Sequence, residues 1–325
     1  MEIYHHPRIK IGDKERKVLG NLTPTTKGAL GHADIEKGVK MSFVSDAFWK
    51  VMFLNSERLK YSCKLISCII EVEYEYLLDH LTLISTDFNR ENLKSKAERG
   101  DYVADINGQK ICIEVNNNYK TDSYDNVNER NYDYMNRIFN KDIKSGSKYN
   151  FNSVIMINLH NFYYKEIDDW YQAYNLKSDD NILYTDKITI VNIYLPKLYE
   201  MCYNKDINEL DELERVLLTL YSEDVAKAME FGGEIKVMEE YVNEAEKVSL
   251  NEDLKEAYNA EKEYTALGHN IGLEEGLEQG LEQGQLLKQQ EIARNMINDK
   301  IDDETISKYT NLTLDEINLL KEKFN

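Results

Sequence analysis

Apolar residues recur with a period of two at 102, 104 and 106 and at 111, 113 and 115, on either side of Asn107-Gly108. A period of two is the spacing of a strand, whose side chains point to opposite faces in turn. An Asn-Gly pair supplies the two positive φ angles of a type I′ turn, so the segment reads as a β-hairpin. Upstream, residues 1–40 carry the breaks Gly20, Pro24, Gly28 and Gly31 with little periodicity, and read as an irregular arm. Ser45-Asp46 opens a helix with Ala47, Phe48, Val51 and Met52 on one stripe. A second helix from about Glu57 turns Leu59, Cys63, Ile66, Ile69 and Ile70 inward, and residues 81–86 read as a first strand. A polar stretch over residues 117–128 leads to a helix over 129–144, with Tyr134, Ile138 and Phe139 inward and Gly146 as its stop. Residues 153–159 and 187–195 are apolar enough to be buried strands. Because a helix crosses between strands, parallel neighbours are required, and the sheet must be mixed.

After residue 201 the period becomes helical. Leu210, Leu213, Val216, Leu217 and Leu220 mark one amphipathic helix, broken at Phe231-Gly232-Gly233, and charged helices follow. Glycines then recur every fourth residue at 268, 272, 276, 280 and 284. Each costs about 1 kcal/mol against alanine inside a helix. Close approach of a second helix is one compensation; a marginal helical linker is the other reading. Glu274, Glu275, Glu278 and Glu282 exclude a bilayer as the setting. Residues 289–325 read as three short helices, the last opened by a Thr313/Glu316 capping box, in a helix-turn-helix-like layout. Of the cations in that last helix only Lys321 and Lys323 are present, among three acids, which argues against base recognition there. The expected divisions are therefore 1–40, 41–200, 201–265, 266–288 and 289–325.

The hairpin register carries the candidate chemistry. A two-residue turn at Asn107-Gly108 places Asp101 opposite Glu114, with Val103, Asp105, Lys110 and Cys112 on the same face. Tyr102, Ala104, Ile106, Ile111, Ile113 and Val115 form the other, core face. Like charges directly across a sheet are destabilising, a cost that a divalent cation between them removes. Alternatively the two are ordinary solvent-exposed carboxylates.

An Asp on one strand followed by Glu-X-Lys on the next resembles the active-site signature of PD-(D/E)XK nucleases, here Asp101 and Glu114-Val115-Asn116. The chain resembles most the recombination-promoting nucleases, the putative-transposase group of that superfamily. Asp46 to Phe53, DAFWKVMF, is similar to that group's opening D-x-x-F-K-x-x-F helix. Arg130, Tyr132, Tyr134, Gly146 and Tyr149 resemble its Arg/Tyr helix and Gly-x-x-Tyr turn, and Val154 to Asn158 its next strand. The glycine-periodic tail also matches the group. The resemblance covers roughly residues 41–200 and the tail. It implies an α/β fold, a restriction-endonuclease-like mixed sheet flanked by helices, followed by an all-helical C-terminal region. It further implies a Mg²⁺ (or Mn²⁺) site on Asp101, Glu114 and the Val115 backbone carbonyl, with Asn116 in the lysine position. Lys110 and Lys120 are the lysines near enough in sequence to stand in for that residue.

Composition constrains these expectations. Cys63, Cys68, Cys112 and Cys202 show no CxxC spacing, and the six histidines no i, i+4 pair, so zinc and disulfides are not expected. Oxygen ligands suit Mg²⁺ or Mn²⁺. No apolar run approaches the ~18 residues of a membrane span, and the polar N-terminus lacks a signal-peptide core, so a cytoplasmic protein is expected. The net charge of −19 looks wrong for a DNA enzyme, but its distribution is uneven. From Glu200 onward there are 31 acidic and 13 basic residues, against 28 and 27 before it, so the nuclease-like part is nearly neutral. Lys94, Lys96, Arg99, Lys120, Arg130, Arg137, Lys141, Lys144 and Lys148 could give it a local phosphate-binding face. Glycine-rich ATP loops and G-x-S-x-G elbows do not occur. The expected activity is metal-dependent DNA endonuclease chemistry tied to recombination or mobile elements, with DNA and a second copy of the chain as partners. The alternative is a degenerate nuclease fold acting as an oligomeric scaffold for nucleic acid or protein.

Overall fold

The computed structural model describes residues 24–35, 38–84, 101–117, 124–140, 153–178 and 180–322, the side chains of residues 139–140, 264–283, 285–286 and 322 excepted. The chain divides into two compact units, residues 1–262 and 263–325.

The first unit is built on a six-stranded sheet in the order β1-β2-β3-β4-β6-β5. The strands are β1 (Leu81–Leu83), β2 (Tyr102–Ile106), β3 (Gln109–Asn116), β4 (Val154–His160), β5 (Tyr171–Asn175) and β6 (Ile188–Tyr194). β1, β2 and β3 are antiparallel neighbours; β3-β4 and β4-β6 are parallel; β5 closes the far edge antiparallel to β6. The sheet is therefore mixed, as the crossover requires. Asn107 at φ 50° and Gly108 at φ 90° form the turn, and β2 and β3 pair Tyr102 with Ile113 and Asp105 with Lys110. That is the register the Asn-Gly turn dictates.

The helices of this unit are α1 (Asp46–Phe53), α2 (Leu59–Ile70), α3 (Tyr74–His80), α4 (Tyr124–Asn140), α5 (Leu195–Cys202), α6 (Glu212–Tyr221), α7 (Val225–Gly232), α8 (Lys236–Ser249) and the first residues of α9 (Glu252–Asn298). Local chemistry sets their ends. Ser45 caps α1 by accepting from the Phe48 N–H, and Asp211 and Glu214 form a reciprocal capping box on α6. Glu71 ends α2 in the left-handed region at φ 51°.

Both faces of the sheet are covered. On one, Tyr102, Ala104, Ile106, Ile111 and Ile113 pack with Phe48, Trp49, Met52 and Phe53 of α1, with α2, and with Leu213, Val216, Leu217 and Leu220 of α6. Each buried Val, Leu, Ile, Phe or Met among them contributes about 1.5–3 kcal/mol. On the other, α4 lays Met135 and Ile138 over Val103, Cys112, Val154 and Met156. Residues 24–35 and 38–40 have no helix or strand and are tied down by bridges from Thr25 to Tyr163 and Val39 to Asp224.

Several expectations are corrected. α4 begins at Tyr124 rather than Glu129, so part of the stretch read as a polar connector is helical; residues 141–149, with Gly146, lie outside the described residues. The buried stripe of α1 is Phe48, Trp49, Met52 and Phe53, while Ala47 and Val51 are half-buried. The amphipathic helix stops at Ser222, whose N–H bonds to Leu218, and Gly232-Gly233 ends the next helix instead. α3 and β5 had no clear sequence signal.

In the second unit, the later part of α9 is followed by α10 (Asp303–Thr310) and α11 (Leu314–Glu322) around Ala293, Ile306, Leu312, Ile317 and Leu320. The five periodic glycines all fall within the helical backbone of α9. Thr313 and Glu316 form the expected capping box: the Thr313 N–H donates to Glu316 Oε2 at 2.8 Å and the Glu316 N–H to Thr313 Oγ1 at 3.3 Å. Lys321 is bonded to Asp303.

Candidate active site

The hairpin brings Asp101 and Glu114 together. The Asp101 backbone N–H donates to Glu114 Oε1 at 3.1 Å, and the Val115 N–H donates to Asp101 Oδ2 at 2.8 Å. Glu114 is only 5% exposed and Asp101 is half-buried, so the reading of these groups as solvated surface carboxylates does not hold. Cys112, one strand period earlier, points its thiol at Glu114 Oε1 from 3.7 Å. Trp49 of α1 donates its indole N–H to the Asp101 carbonyl at 3.2 Å, docking α1 against the start of β2.

Burial and mutual repulsion penalise the charged forms of this pair. Desolvation lifts the Asp101 carboxyl from 3.8 to about 6; the Val115 N–H pulls the other way, and Asp46 adds repulsion. Desolvation, then the Asp101 charge, pushes Glu114 well above the ordinary glutamate range. Arg130 lowers both, and Lys50 lowers Asp101. The protein thus places two oxygen donors where neither ionises comfortably without a compensating cation. That donor set fits a hard divalent ion. Among the described residues no cluster of three or more His, Cys, Asp or Glu converges as a ready-made cage.

Asn116 is the next residue on the same face of β3, and is buried. Its Oδ1 accepts from Arg130 Nη2 of α4 at 2.8 Å. Lys110 sits at the hairpin tip, 2.7 Å from Asp105, whose other oxygen accepts from the Gly108 N–H at 2.9 Å. Lys110 therefore braces the turn and does not serve the carboxylates. Lys120 lies outside the described residues, as do Lys94, Lys96, Arg99, Lys141, Lys144 and Lys148. The position-specific role of Arg130 was not apparent from the sequence, which offered it only as one of nine basic residues and as part of a helix motif. Asp46 and Lys50, ion-paired with each other on α1, were likewise visible as a motif but not as neighbours of Asp101.

Residues 44–271 match the model of the PD-(D/E)XK nuclease family transposase, well over half of the chain. The chain belongs to this family. Residues 286–322 match a second model, the C-terminal HTH domain of the Rpn/YhgA-like nuclease family. No curated protein and no solved structure matches the chain. The nuclease-family match takes in every residue of the site just described, and the helix-turn-helix match takes in α10 and α11. The mixed sheet with flanking helices and the all-helical C-terminal region are the architecture expected of such a chain. All four cysteines are free; burial pushes the Cys63 thiol up to about 12 and Cys68 to about 11, which disfavours the reactive thiolate. Among the described residues no helix is long and apolar enough to cross a membrane.

Proposed function

We propose that the chain is a divalent-metal-dependent DNA endonuclease that hydrolyses phosphodiester bonds at Asp101 and Glu114, in the service of recombination or mobile elements. The observation that carries this reading is the facing carboxylate pair, Glu114 buried and Asp101 half-buried, with an arginine-bound amide as the next residue on that face of β3. Asp101, Glu114 and the Val115 carbonyl would hold Mg²⁺ or Mn²⁺. Bound there, the ion supplies a lowered pKa for its water and neutralises charge on the scissile phosphate. The chain's own residues do the rest. The Val115 N–H fixes the rotamer of Asp101, and the Asp101 N–H that of Glu114. Asn116 orients the Arg130 guanidinium, which would bind the two non-bridging phosphate oxygens bidentately. The Arg130–Asn116 pair thereby takes over the cationic function of the usual lysine.

The excess acid of the C-terminal part suits a protein that does not coat DNA indiscriminately. For the glycine-periodic part of α9 we propose a helix–helix contact between two copies, which sedimentation of the full chain and of a Gly276→Leu variant would test.

Nicking of supercoiled plasmid by the purified full chain, with Mg²⁺ or Mn²⁺, tests the main reading beside Asp101→Ala and Glu114→Ala. Cleavage that needs metal and vanishes in both variants is the expected result. Folded wild-type protein that never cleaves in either metal would point instead to a non-catalytic scaffold.

A further inference from the structure

A second polar feature lies on the same side of the sheet as the carboxylates. The register places Glu114 beside Asn158, Asn158 beside Asn192, and Asn192 beside Gln172. A single row of polar residues thus runs from the active site across β3, β4, β6 and β5, beneath α4. Sheet interiors under a helix are normally apolar, and two rows away this one is: Val154 and Ile188 occupy it there.

Over that row is a cavity of about 380 Å³. Tyr124 and Tyr132 of α4 and Tyr174 of β5 wall it, and Asn131, Asn158 and Asn192 supply its polar groups. Asn131 is 3% exposed and Asn158 1%. Among the described residues, neither amide atom of Asn131 has a hydrogen-bond partner, and Asn158 Oδ1 has none, although Asn158 Nδ2 donates to Asn192 Oδ1 at 2.8 Å. Each orphaned buried group costs on the order of 1–3 kcal/mol. A fold that keeps a donor and acceptors unmet at the wall of a cavity is arranged for something that meets them.

The lining decides what that is. Among the described residues it has three aromatic rings, four carboxamides, one carboxylate (Glu129) and no lysine or arginine. A phosphate is disfavoured there. A flat, neutral ring bearing both donors and acceptors on its edge suits it: rings stack on tyrosine, and an asparagine amide pairs with a base edge through its oxygen and nitrogen together. The volume falls within the usual range for a small-ligand pocket. Position agrees as well. Asn158 is one strand and Asn192 two strands from Glu114, about 5 and 10 Å, the span from a phosphate to the base of the same or the adjoining nucleotide. α4 links the two places directly, since Arg130 turns to Asn116 and Asn131 lines the cavity.

We propose that this cavity receives one unstacked nucleobase of the strand whose phosphate lies at Asp101 and Glu114. The chain would then act on single-stranded or locally opened nucleic acid, and would read one base beside the cleavage point. The strand assignment rests on the nuclease reading; the chemistry of the cavity does not.

The test uses the full chain carrying Asp101→Asn, without metal, so that cleavage plays no part. A short oligonucleotide with a single 2-aminopurine is the probe, made once as DNA and once as RNA, with the free 2-aminopurine nucleoside as a third arm. Binding should raise the fluorescence several-fold as the base leaves the stack. Tyr132→Ala, at a residue 54% exposed on the rim, should weaken binding about tenfold. Asn131→Leu should do the same; if circular dichroism shows it unfolded, Tyr132→Ala decides alone. The better of the two oligonucleotides identifies the strand. No rise with either, as expected if ordered water alone fills the cavity, overturns the proposal; so does a rise that Tyr132→Ala leaves unchanged. Binding of the free nucleoside but of neither oligonucleotide also overturns it, in favour of a small-molecule site. Plasmid nicking by the wild type is scored separately: nicking without a fluorescence response removes the cavity proposal alone, and a response without nicking removes the nuclease reading alone.

Discussion

Arg130 Nη2 donates to Asn116 Oδ1 at 2.8 Å, and this bond ties α4 to the residue that follows the Glu114 carboxylate on its face of β3. A lysine at position 116 would carry its own charge to the phosphate; an asparagine cannot. The structure pairs the asparagine with a guanidinium from another element. If Arg130 is the working cation, Arg130→Ala should lower plasmid cleavage at least a hundredfold with no more than a small loss of stability, because Arg130 is largely exposed. Asn116→Lys should then restore cleavage in the Arg130→Ala background and add little in the wild type. Single-turnover rates on the four proteins check this. Equal cleavage by wild type and Arg130→Ala would show that the pair is structural only.

The carboxylate pair makes a prediction about pH and metal. A carboxyl whose pKa is higher in the folded chain keeps its proton while the unfolded chain loses it, so stability falls as pH rises through that interval. For Asp101 the interval runs from about 4 to about 6. Above it the metal-free protein carries the full cost, on the order of 1–3 kcal/mol. Asp101→Asn keeps an acceptor for the Val115 N–H and removes a charge, so its melting temperature in EDTA at pH 7.5 should exceed that of the wild type by several degrees. Saturating Mg²⁺ or Mn²⁺ should raise the wild-type midpoint and leave the variant's unchanged. Calorimetry with and without metal reads both effects; a variant that melts lower than the wild type in EDTA would show that the pair is not strained by its charge.

How far this site was legible depended on the reach of each signal. The Asn107-Gly108 turn fixed the pairing of Asp101 with Glu114 because both the turn and the period of two are local. The fate of the other face was not local. Val103 and Cys112 lie buried under Met135 and Ile138 only because the β3-α4-β4 crossover folds back over them. β5 was missed because YQAYN is a short edge strand with polar residues on both sides, and such strands lack the apolar run that betrays β4 and β6. The polar row Glu114, Asn158, Asn192, Gln172 exists only after four strands are in register. Isolated asparagines carry no mark of it.

Glu261 supplies another long-range link, between the start of α9 and the start of α1. Its carboxylate accepts from Ser45 Oγ at 2.8 Å and from the Asp46 and Ala47 N–H groups at 2.9 and 3.0 Å, and His32 Nε2 lies 3.3 Å away. An anion on the free N–H groups of a helix is favourable. Although burial opposes it, these bonds hold the Glu261 pKa down at about 2, from 4.5. With a depressed folded pKa, the contribution is complete above about 4.5 and disappears as pH falls toward 2. Glu261→Gln should cost on the order of 1–2 kcal/mol at pH 7 and less than half of that at pH 3. Urea melts at the two pH values give the comparison. An equal cost at both would mean that the amide loses packing, not charge.

Gly232 tests the packing that carries the sheet. As half of a Gly-Gly pair it reads as a helix breaker, yet it is the last residue of α7 and is buried against α6. A Cβ there would lie 2.6 Å from Thr219 Oγ1, 2.7 Å from Thr219 Cγ2 and 3.1 Å from the Met238 Cβ. Thr219 cannot swing away freely, since its hydroxyl donates to the Arg215 carbonyl at 2.7 Å within α6. The glycine is therefore a contact point between α6, α7 and α8. Gly232→Ala should destabilise the first unit by about 1–3 kcal/mol despite alanine's better helix propensity. Thr219→Ala, which removes both clashing atoms, should recover most of that loss in the double variant. A double-mutant cycle on unfolding free energies measures the coupling; a Gly232→Ala chain as stable as the wild type would show that α7 can shift away from α6 without penalty.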